Sequence, residues 1–482
     1  MDILFIHIAP TVEERYGNKR FGEVGGLLPP LGLASIAGYL REYGYECAIL
    51  DTVATNMTEK EILHTVKKLN PEVIGYTALT PSYPKVRDTA ELIREHFPEI
   101  LQILGGHHAT VLKEYILEND SCFDVLVYGE GEVTSKELLD FFKEYKFHRE
   151  KIFLDKTLCS IKGIAFKNKD EIIVTPQREL IPDINILPFP ARDMLPMEKY
   201  IPLPNQYIRP PVVHMVVQRG CPFDCSFCSN NAVFGRRVRK RAPELVVEEI
   251  KYVIKNYGAR EISFWDDTIT VDKKWLGEVC EGILRNDLDI KWSCYASVNT
   301  VDYEILTLMK RAGCWNIFYG YESGVQELLD NINKGITLEK IEYVNGLTKK
   351  AGIEIRGSFM IGLPGETPEL AIKTLNFAIR LDPEYVQFSL TTPFPGTKLY
   401  SEASRYGYLD NDFNKYNGWT PVFVPYGYRD GEELLQVQQF CHRKFYLRPS
   451  YVMQRIKSLR GIDDIIRYYK GLKMAIGFCF NL

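Results

Sequence analysis

Short apolar runs alternate with longer stretches of helical spacing along this chain, and the alternation occurs twice. In the first 145 residues the runs fall at 3–8, 47–50, 73–76, 100–104 and 125–128. Apolar residues at helical spacing fill the intervals, at about 31–43, 58–69, 83–96, 111–118 and 132–144. Short strands separated by helices make βαβ units. The pattern predicts an α/β fold that begins with a doubly wound, Rossmann-like parallel sheet over 1–145. Ligands of such sheets sit at the carboxyl ends of the strands.

Residues 146–210 break the rhythm. The stretch 163–176 reads as a hairpin turning at Asn168-Lys169-Asp170, and the Pro-rich 181–211 reads as a linker wrapped on the surface. A second series opens at Val212, with apolar or β-branched runs at 212–217, 262–265, 292–296, 316–321, 355–361 and 385–390. Helical spacing follows at about 243–257, 272–285, 301–312, 337–351 and 367–381. Six βα units over 211–410 predict a partial (β/α)6 barrel, with chemistry at the carboxyl ends of its strands. The remaining region, 411–482, reads as helical and aromatic-rich. Its last stretch places Ile462, Ile465, Ile466, Tyr469, Leu472, Ile476 and Cys479 on one helical face. That face is expected to dock on the core; a surface meeting lipid is the alternative.

Charge and cysteine usage narrow the class. The net charge of −4 over 482 residues argues against a dedicated nucleic-acid binder. Eight of the eleven cysteines are scattered singly, often among apolar neighbours, as in a reduced compartment. Asp2 follows Met1 with no basic region before the apolar run, so no signal peptide is expected and the expected location is cytoplasmic. No run reaches the ~18 apolar residues of a membrane span.

The other three cysteines lie together in Gln218-Arg219-Gly220-Cys221-Pro222-Phe223-Asp224-Cys225-Ser226-Phe227-Cys228, directly after the first run of the second series. Three thiolates this close can ligate three irons of a 4Fe–4S cluster and leave the fourth iron open for chemistry. A structural zinc site is the competing reading, but it wants four ligands, usually as paired C-x2-C units, and no second pair exists. The dense basic run Arg236-Arg237-Val238-Arg239-Lys240-Arg241 reads either as a solvated loop or as charge complementarity to an acidic partner. Tyr295, Tyr319, Tyr321 and Tyr416 read as core more readily than as hydrogen-atom donors.

The spacing Cys221, Cys225, Cys228, with Phe227 as the aromatic before the last cysteine, resembles the radical S-adenosylmethionine (SAM) superfamily. Further segments agree in order. Phe264-Trp265-Asp266-Asp267-Thr268 looks like the family's second-strand motif, which implies that Asp266 and Asp267 meet the SAM amino group. Gly320-Tyr321-Glu322-Ser323-Gly324 ends the fourth strand and implies a ribose or amino contact for Glu322. Gly357-Ser358-Phe359-Met360-Ile361-Gly362-Leu363-Pro364-Gly365-Glu366 resembles the adenine motif and implies close backbone approach at Gly357 and Gly362. Pro393-Phe394-Pro395-Gly396-Thr397 is similar to a common element after the sixth strand. Read without the resemblance, an Asp-Asp pair can cap a helix and Gly-Leu-Pro-Gly can be only a turn. Many relatives carry an Arg at the third strand end for the SAM carboxylate. This chain has Ser293-Cys294-Tyr295-Ala296-Ser297-Val298-Asn299 instead, which leaves Ser297 or a residue elsewhere for that task.

The N-terminal half resembles a cobalamin-binding domain, with an ordinary nucleotide-binding or ligand-free Rossmann-like domain as the alternative. Val73-Ile74-Gly75-Tyr76-Thr77-Ala78-Leu79-Thr80-Pro81-Ser82, Leu104-Gly105-Gly106-His107-His108-Ala109-Thr110 and Tyr128-Gly129-Glu130-Gly131-Glu132 are similar to its three strand-end segments. The resemblance implies cobalamin contacts at Thr77, Leu79, Gly105, Gly106, Gly129 and Glu130. His107 and His108 are either beside the corrin tail or solvated. No G-x-G-x-x-G follows the first strand, which weakens a dinucleotide site. No D-x-H-x-x-G occurs anywhere in the chain, so cobalamin would lack that motif's histidine below the cobalt.

The whole therefore resembles the radical SAM class that carries an N-terminal cobalamin-binding domain. The implied cofactors are a 4Fe–4S cluster, SAM and cobalamin. The implied partners are a small-molecule, lipid or tetrapyrrole substrate and an external electron donor such as flavodoxin or ferredoxin. Methylation of an unactivated carbon or phosphorus is the leading expectation. A radical cyclisation or oxidative rearrangement, as in the anaerobic magnesium-protoporphyrin ester cyclases, is the second, and a non-catalytic corrinoid or iron–sulfur carrier the third. Which side chain would take part in the chemistry, beyond binding, is not legible.

Overall fold

The computed structural model describes residues 1–16, 25–459 and 461–480. They fall into two compact units, one formed by Met1–Thr11, Leu27–Tyr200 and Ser229–Arg239, the other by the remainder.

The first unit is built on strands β1 (Ile3–His7), β2 (Cys47–Asp51), β3 (Val73–Thr77), β4 (Leu101–Gly105), β5 (Val125–Val127), β6 (Ile164–Asn168) and β7 (Glu171–Val174). They form one sheet in the order β2-β1-β3-β4-β5-β6-β7. The first five strands are parallel, and β6 and β7 add an antiparallel hairpin to the edge. The hairpin expected in the linker is thus a continuation of the sheet. Lys169 supplies its turn with a φ of 55°. Side chains of β1 alternate between two cores: Ile3 and Phe5 enter one, Leu4 and Ile6 the other. Burial on both faces is what a doubly wound sheet imposes on its central strand. Truncating any one of these side chains to Ala removes roughly 2–5 kcal/mol.

Helices cover both faces: α1 (Leu31–Glu42), α2 (Glu59–Leu69), α3 (Tyr83–His96), α4 (His107–Val111), α5 (Lys113–Asn119) and α6 (Gly131–Glu144). A capping box starts α2, with Thr58 and Glu61 each accepting from the other's backbone N–H. The helix expected at 111–118 is two short ones, because the chain changes direction at Leu112.

The second unit contains six parallel strands: β8 (Val212–Met215), β9 (Glu261–Phe264), β10 (Lys291–Ala296), β11 (Cys314–Glu322), β12 (Glu354–Ile361) and β13 (Tyr385–Leu390). Their order, β13-β12-β11-β10-β9-β8, follows the sequence without a crossover, the topology of a partial barrel. The connecting helices are α7 (Pro243–Tyr257), α8 (Lys273–Arg285), α9 (Tyr303–Arg311), α10 (Gln326–Asn331), α11 (Leu338–Lys350) and α12 (Pro368–Leu381). Asp272, Asp302, Thr337 and Thr367 cap α8, α9, α11 and α12. Tyr319 and Tyr321 point at α11, where their hydroxyls meet Thr348 and Asn345. They are core residues, as is buried Tyr416.

After the barrel come α13 (Lys398–Tyr406), the pair β14 (Gly407–Leu409) and β15 (Phe423–Pro425), then α14 (Gly431–Tyr446), α15 (Pro449–Lys457) and α16 (Ile462–Phe480). The region from 411 is therefore not uniformly helical: Gly418, Pro421, Pro425 and Gly427 break its first twenty residues, down to 430. The apolar face expected to dock α16 does so only in part: Ile465, Leu472 and Ile476 line a cavity against the strands, while Ile465, Ile466, Tyr469 and Leu472 are all more than half exposed. Arg467 and Gly477 are buried instead. The side chains of Ile462 and Cys479 lie outside the described residues.

Candidate functional site

Gly220, at a φ of 92°, starts the cysteine loop just beyond β8. Backbone hydrogen bonds fix the loop from two sides. Asp266, after β9, accepts from the N–H groups of Val217 and Gln218 through one oxygen, at 2.8 and 2.6 Å. From the other side the Ser226 N–H donates to the Ile332 carbonyl at 2.9 Å, and Asn333 Nδ2 donates to the Asp224 carbonyl at 2.8 Å. Phe227 packs against Leu328, Ile332, Met360 and Leu363, which lays the loop beside the end of β12.

None of the three cysteines is in a disulfide; Cys221 and Cys225 are half-buried and Cys228 is exposed. Burial pushes the Cys221 thiol up and the Cys225 thiol up to about 11, with Lys334 pulling both back down. Metal must therefore displace protons here, and its binding strengthens as pH rises. Among the described residues no three His, Cys, Asp or Glu side chains converge on a single metal-ion position. A cubane makes no such demand, because each cysteine holds a different iron.

Glu322, the last residue of β11, has a φ of 61° and is buried, and its carboxylate pairs with Lys334 Nζ at 2.6 Å. The same ammonium lies 5.5 Å above the Phe227 ring. Burial alone would lower the Lys334 pKa, but Glu322 and the nearby thiols outweigh it and leave it raised. Gly320 makes this possible: a Cβ there would lie 2.4 Å from Glu322 Oε1 and 2.9 Å from Lys334 Nζ. A left-handed non-glycine residue holding a buried ion pair is the kind of strain that collects at functional sites.

Asp266 does not cap a helix; that task falls to Asp272. Its second oxygen, Oδ2, is buried without a hydrogen-bond partner. Burial lifts its pKa to about 7, against the pull of the two N–H donors. Asp267 is exposed. Gly362-Leu363-Pro364-Gly365 is indeed a turn, and Glu366 ties it by accepting from the Gly362 and Leu363 N–H groups. Burial lifts Glu366 to about 8. The Ser297 hydroxyl accepts from the Asn299 N–H, and Gly357 abuts the Tyr321 ring. The cysteine triad, Phe227, Asp266, Asp267 and Glu322 thus gather around one loop, and Gly362 adjoins it through Leu363. Ser297 and Gly357 make no described contact with it.

In the first unit, Thr77 and Gly105 are partners across β3 and β4, and Gly129 follows β5. Gly106, at a φ of 91°, is required for packing: a Cβ would lie 2.5 Å from Thr77 Oγ1. Gly129 faces open space, and Leu79 is 61% exposed although apolar. Glu130 is buried and held by Arg239 at 2.7 Å and by the Ile181 N–H at 2.7 Å. The basic run is therefore not a solvated loop throughout, since Arg239 and Arg241 are buried, the latter 3.8 Å from Glu249. His108 is not solvated either: it stacks on Tyr83 at 4.1 Å, and burial lowers its pKa to about 3. His107 Nε2 lies 2.9 Å from the Ser229 carbonyl.

Comparison with known proteins matches a family to each of the two regions. Residues 18–139 match the B12 binding domain family and residues 215–378 the radical SAM superfamily. An uncharacterized methyltransferase of Pyrococcus horikoshii is 34% identical over 450 residues, 93% of this chain and 94% of that protein. The chain belongs to the cobalamin-binding radical SAM enzymes. An anaerobic magnesium-protoporphyrin IX monomethyl ester cyclase of Rubrivivax gelatinosus is 30% identical, over 94% of this chain and 78% of that enzyme. The fold matches that of the cobalamin-dependent SAM radical enzyme OxsB, solved with aqua-cobalamin and SAM bound, at a TM-score of 0.74 and 16% identity. The match covers 99% of this chain and 72% of OxsB.

As a radical SAM enzyme the protein uses a 4Fe–4S cluster and SAM, and its first domain adds cobalamin; it needs a reductant and acts on a small molecule. The residues present fit these groups. Three thiols outside any disulfide on a pinned loop suit the cluster, an unpartnered buried carboxylate oxygen beside that loop suits the SAM amino group, and open space at Gly129 and an exposed apolar Leu79, both just past strand ends of the first sheet, suit a flat apolar ring. Sequence reading missed Lys334, because a lone Lys in a loop reads as solvated. No described helix is long and apolar enough to cross a membrane.

Proposed function

We propose that this enzyme methylates an unactivated carbon or phosphorus of a small-molecule, lipid or tetrapyrrole substrate. The observation that carries the reading is the pairing, in one chain, of a three-cysteine loop beside a buried acceptor carboxylate with a cobalamin-type domain, matched almost end to end by a protein described as a methyltransferase. When bound, the reduced cluster with SAM supplies hydrogen abstraction and cobalamin supplies a transferable methyl group. The chain's own part is to bind and orient. Cys221, Cys225 and Cys228 hold the cluster. Asp266 accepts from the SAM amino group, and Glu322, held in place by Lys334, accepts from the ribose. Phe227 excludes water from the loop, and Gly357 and Gly362 leave room for the adenine. Thr77, Leu79, Gly105, Gly106, Gly129 and Glu130 border the cobalamin, Glu130 through its fixed backbone. The electron donor is a protein of the flavodoxin or ferredoxin kind.

The test is anaerobic turnover with SAM labelled in its methyl group. A product heavier by one labelled methyl, with 5′-deoxyadenosine formed beside it, is the expected result. A cyclised or oxidised product without the label supports the second reading, which the match to the protoporphyrin ester cyclase favours. If the wild type makes no 5′-deoxyadenosine from SAM, the carrier reading replaces both.

A further inference from the structure

A cavity of about 340 Å³ lies in the second unit, lined by β11–β13, by Trp419 and by α14–α16. Volumes of this size suit drug-sized organic ligands. Most of its wall is apolar or aromatic, including Phe318, Tyr385, Trp419 and Leu472. Three guanidinium groups enter it, from Arg356, Arg455 and Arg467.

Among the described residues two of these cations make no ion pair. Arg356, on β12, is buried, and its hydrogen bond is from Nε to the neutral Asn316 Oδ1 at 2.6 Å. The rings of Phe318 and Tyr295 lie 5.2 and 5.9 Å from its guanidinium. Arg455, on α15, has Nε and Nη1 buried with no hydrogen-bond partner, between Tyr385 and Tyr451 at 5.8 and 5.5 Å. Among the described residues neither Arg356 nor Arg455 pairs with a carboxylate. The acidic residue whose charge Arg455 feels is half-buried Glu354, whose pKa burial and Glu384 raise against the pull of Arg455 and Arg467. A buried guanidinium without a counter-charge is costly, and an anion in the cavity recovers part of that cost through its charge. The planar fork of Arg matches a carboxylate or phosphate.

We propose that this cavity binds an acidic amphiphile, with a carboxylate or phosphate head held by Arg356 and Arg455 and an apolar body against Phe318, Trp419 and Leu472. This deepens the proposed reaction, and rests on it only in calling the occupant a substrate. Half-exposed Ile465 and Leu472 at the rim let the body of a larger molecule continue outward while its head stays inside.

The test is calorimetric titration of the anaerobic holoenzyme with decanoate, decyl phosphate and, as the uncharged analogue, decanol. Decanoate or decyl phosphate is expected to bind at least about tenfold more tightly than decanol, and the tighter of the two acids identifies the head group. Arg455→Gln is expected to weaken the acid about tenfold and leave decanol unchanged. Arg356→Gln is the second variant, with bound iron per chain as the measure that it is folded. Equal affinities for acid and alcohol, no binding of either acid, or wild-type acid affinity in Arg455→Gln overturns the proposal. These titrations need no turnover, so the cavity stands if methyl transfer fails, and the reverse also holds.

Discussion

Replacing Asp266 by Asn tests the link between the cysteine loop and SAM. The two side chains have the same shape, so the acceptor oxygen that holds the Val217 and Gln218 N–H groups is kept. What changes is Oδ2, the buried oxygen with no partner. Burial has moved this carboxyl from its ordinary 3.8 to about 7. That shift corresponds to about 4 kcal/mol opposing ionisation in the unliganded protein. The sign follows from linkage: a folded-state pKa above the unfolded one stabilises the fold below about pH 4, and the gain is lost as pH rises to about 7. A donor arriving at Oδ2 favours the ionised form, so SAM binding should release this proton below pH 7. Wild-type SAM affinity is therefore expected to rise about tenfold per pH unit up to about 7 through this group and then level off. Asp266→Asn removes one proton from that slope. At pH 8 it loses a charged hydrogen bond, worth roughly 1.5–3 kcal/mol, or about ten- to hundredfold in affinity. The assay is anaerobic equilibrium dialysis of labelled SAM against cluster-loaded protein, with iron per chain confirming an intact loop. Wild-type affinity at pH 8 in the variant, or an unchanged pH slope, refutes the assignment.

Cys225→Ala is expected to bind substoichiometric iron and make no 5′-deoxyadenosine, as read by iron assay and chromatography. Lys334→Met leaves the Glu322 carboxylate buried and unpaired, and should cost about 3–5 kcal/mol in denaturant unfolding, with Glu322→Gln added on top recovering part of the loss. Gly320→Ala should resemble Lys334→Met although it removes neither charge, because the added methyl occupies the space of the pair; unchanged stability would count against the close approach. Arg239→Met leaves the buried Glu130 carboxylate without its guanidinium, and should lower the melting temperature by about 10 °C, whereas the double change with Glu130→Gln should recover most of it.

Local spacing explains what was legible in the sequence. The strands and helices of both units follow from runs and periods of a few residues, and the cysteine loop from an eight-residue motif. Elements went astray where long-range contacts decide. The hairpin at Ile164–Asn168 and Glu171–Val174 was visible as a hairpin, but its place on the edge of the first sheet depends on pairing with Val125–Val127. The apolar side of α16 was visible too, yet the buried side is the one that carries Arg467, because the neighbours that cover it come from distant parts of the chain. Cys280, Cys294 and Cys314 are scattered in sequence and adjacent in the core, where Cys294 hydrogen-bonds Cys314 and burial pushes the Cys280 and Cys314 thiols up.

Three carboxylates of the barrel show why residue type reaches only part of the way to a site. Asp266, Glu322 and Glu366 all sit at strand ends, are all buried, and all lie in segments the motifs single out. Their roles diverge through their partners. Glu366 takes two backbone N–H groups of its own turn on one oxygen, which holds the Gly362 loop in shape, and its other oxygen is buried without a partner. Glu322 is buried and paired with a cation twelve residues on, which fixes its carboxylate in place. Asp266 has two donors on one oxygen and none on the other, and is left poised near neutrality. Asp266 and Glu366 each keep one buried oxygen without a hydrogen-bond partner, and of the two it is Asp266 that lies against the cysteine loop, through Val217 and Gln218. That placement makes it the carboxylate on which SAM binding should depend most steeply, and Lys334 the residue on which the position of Glu322 depends.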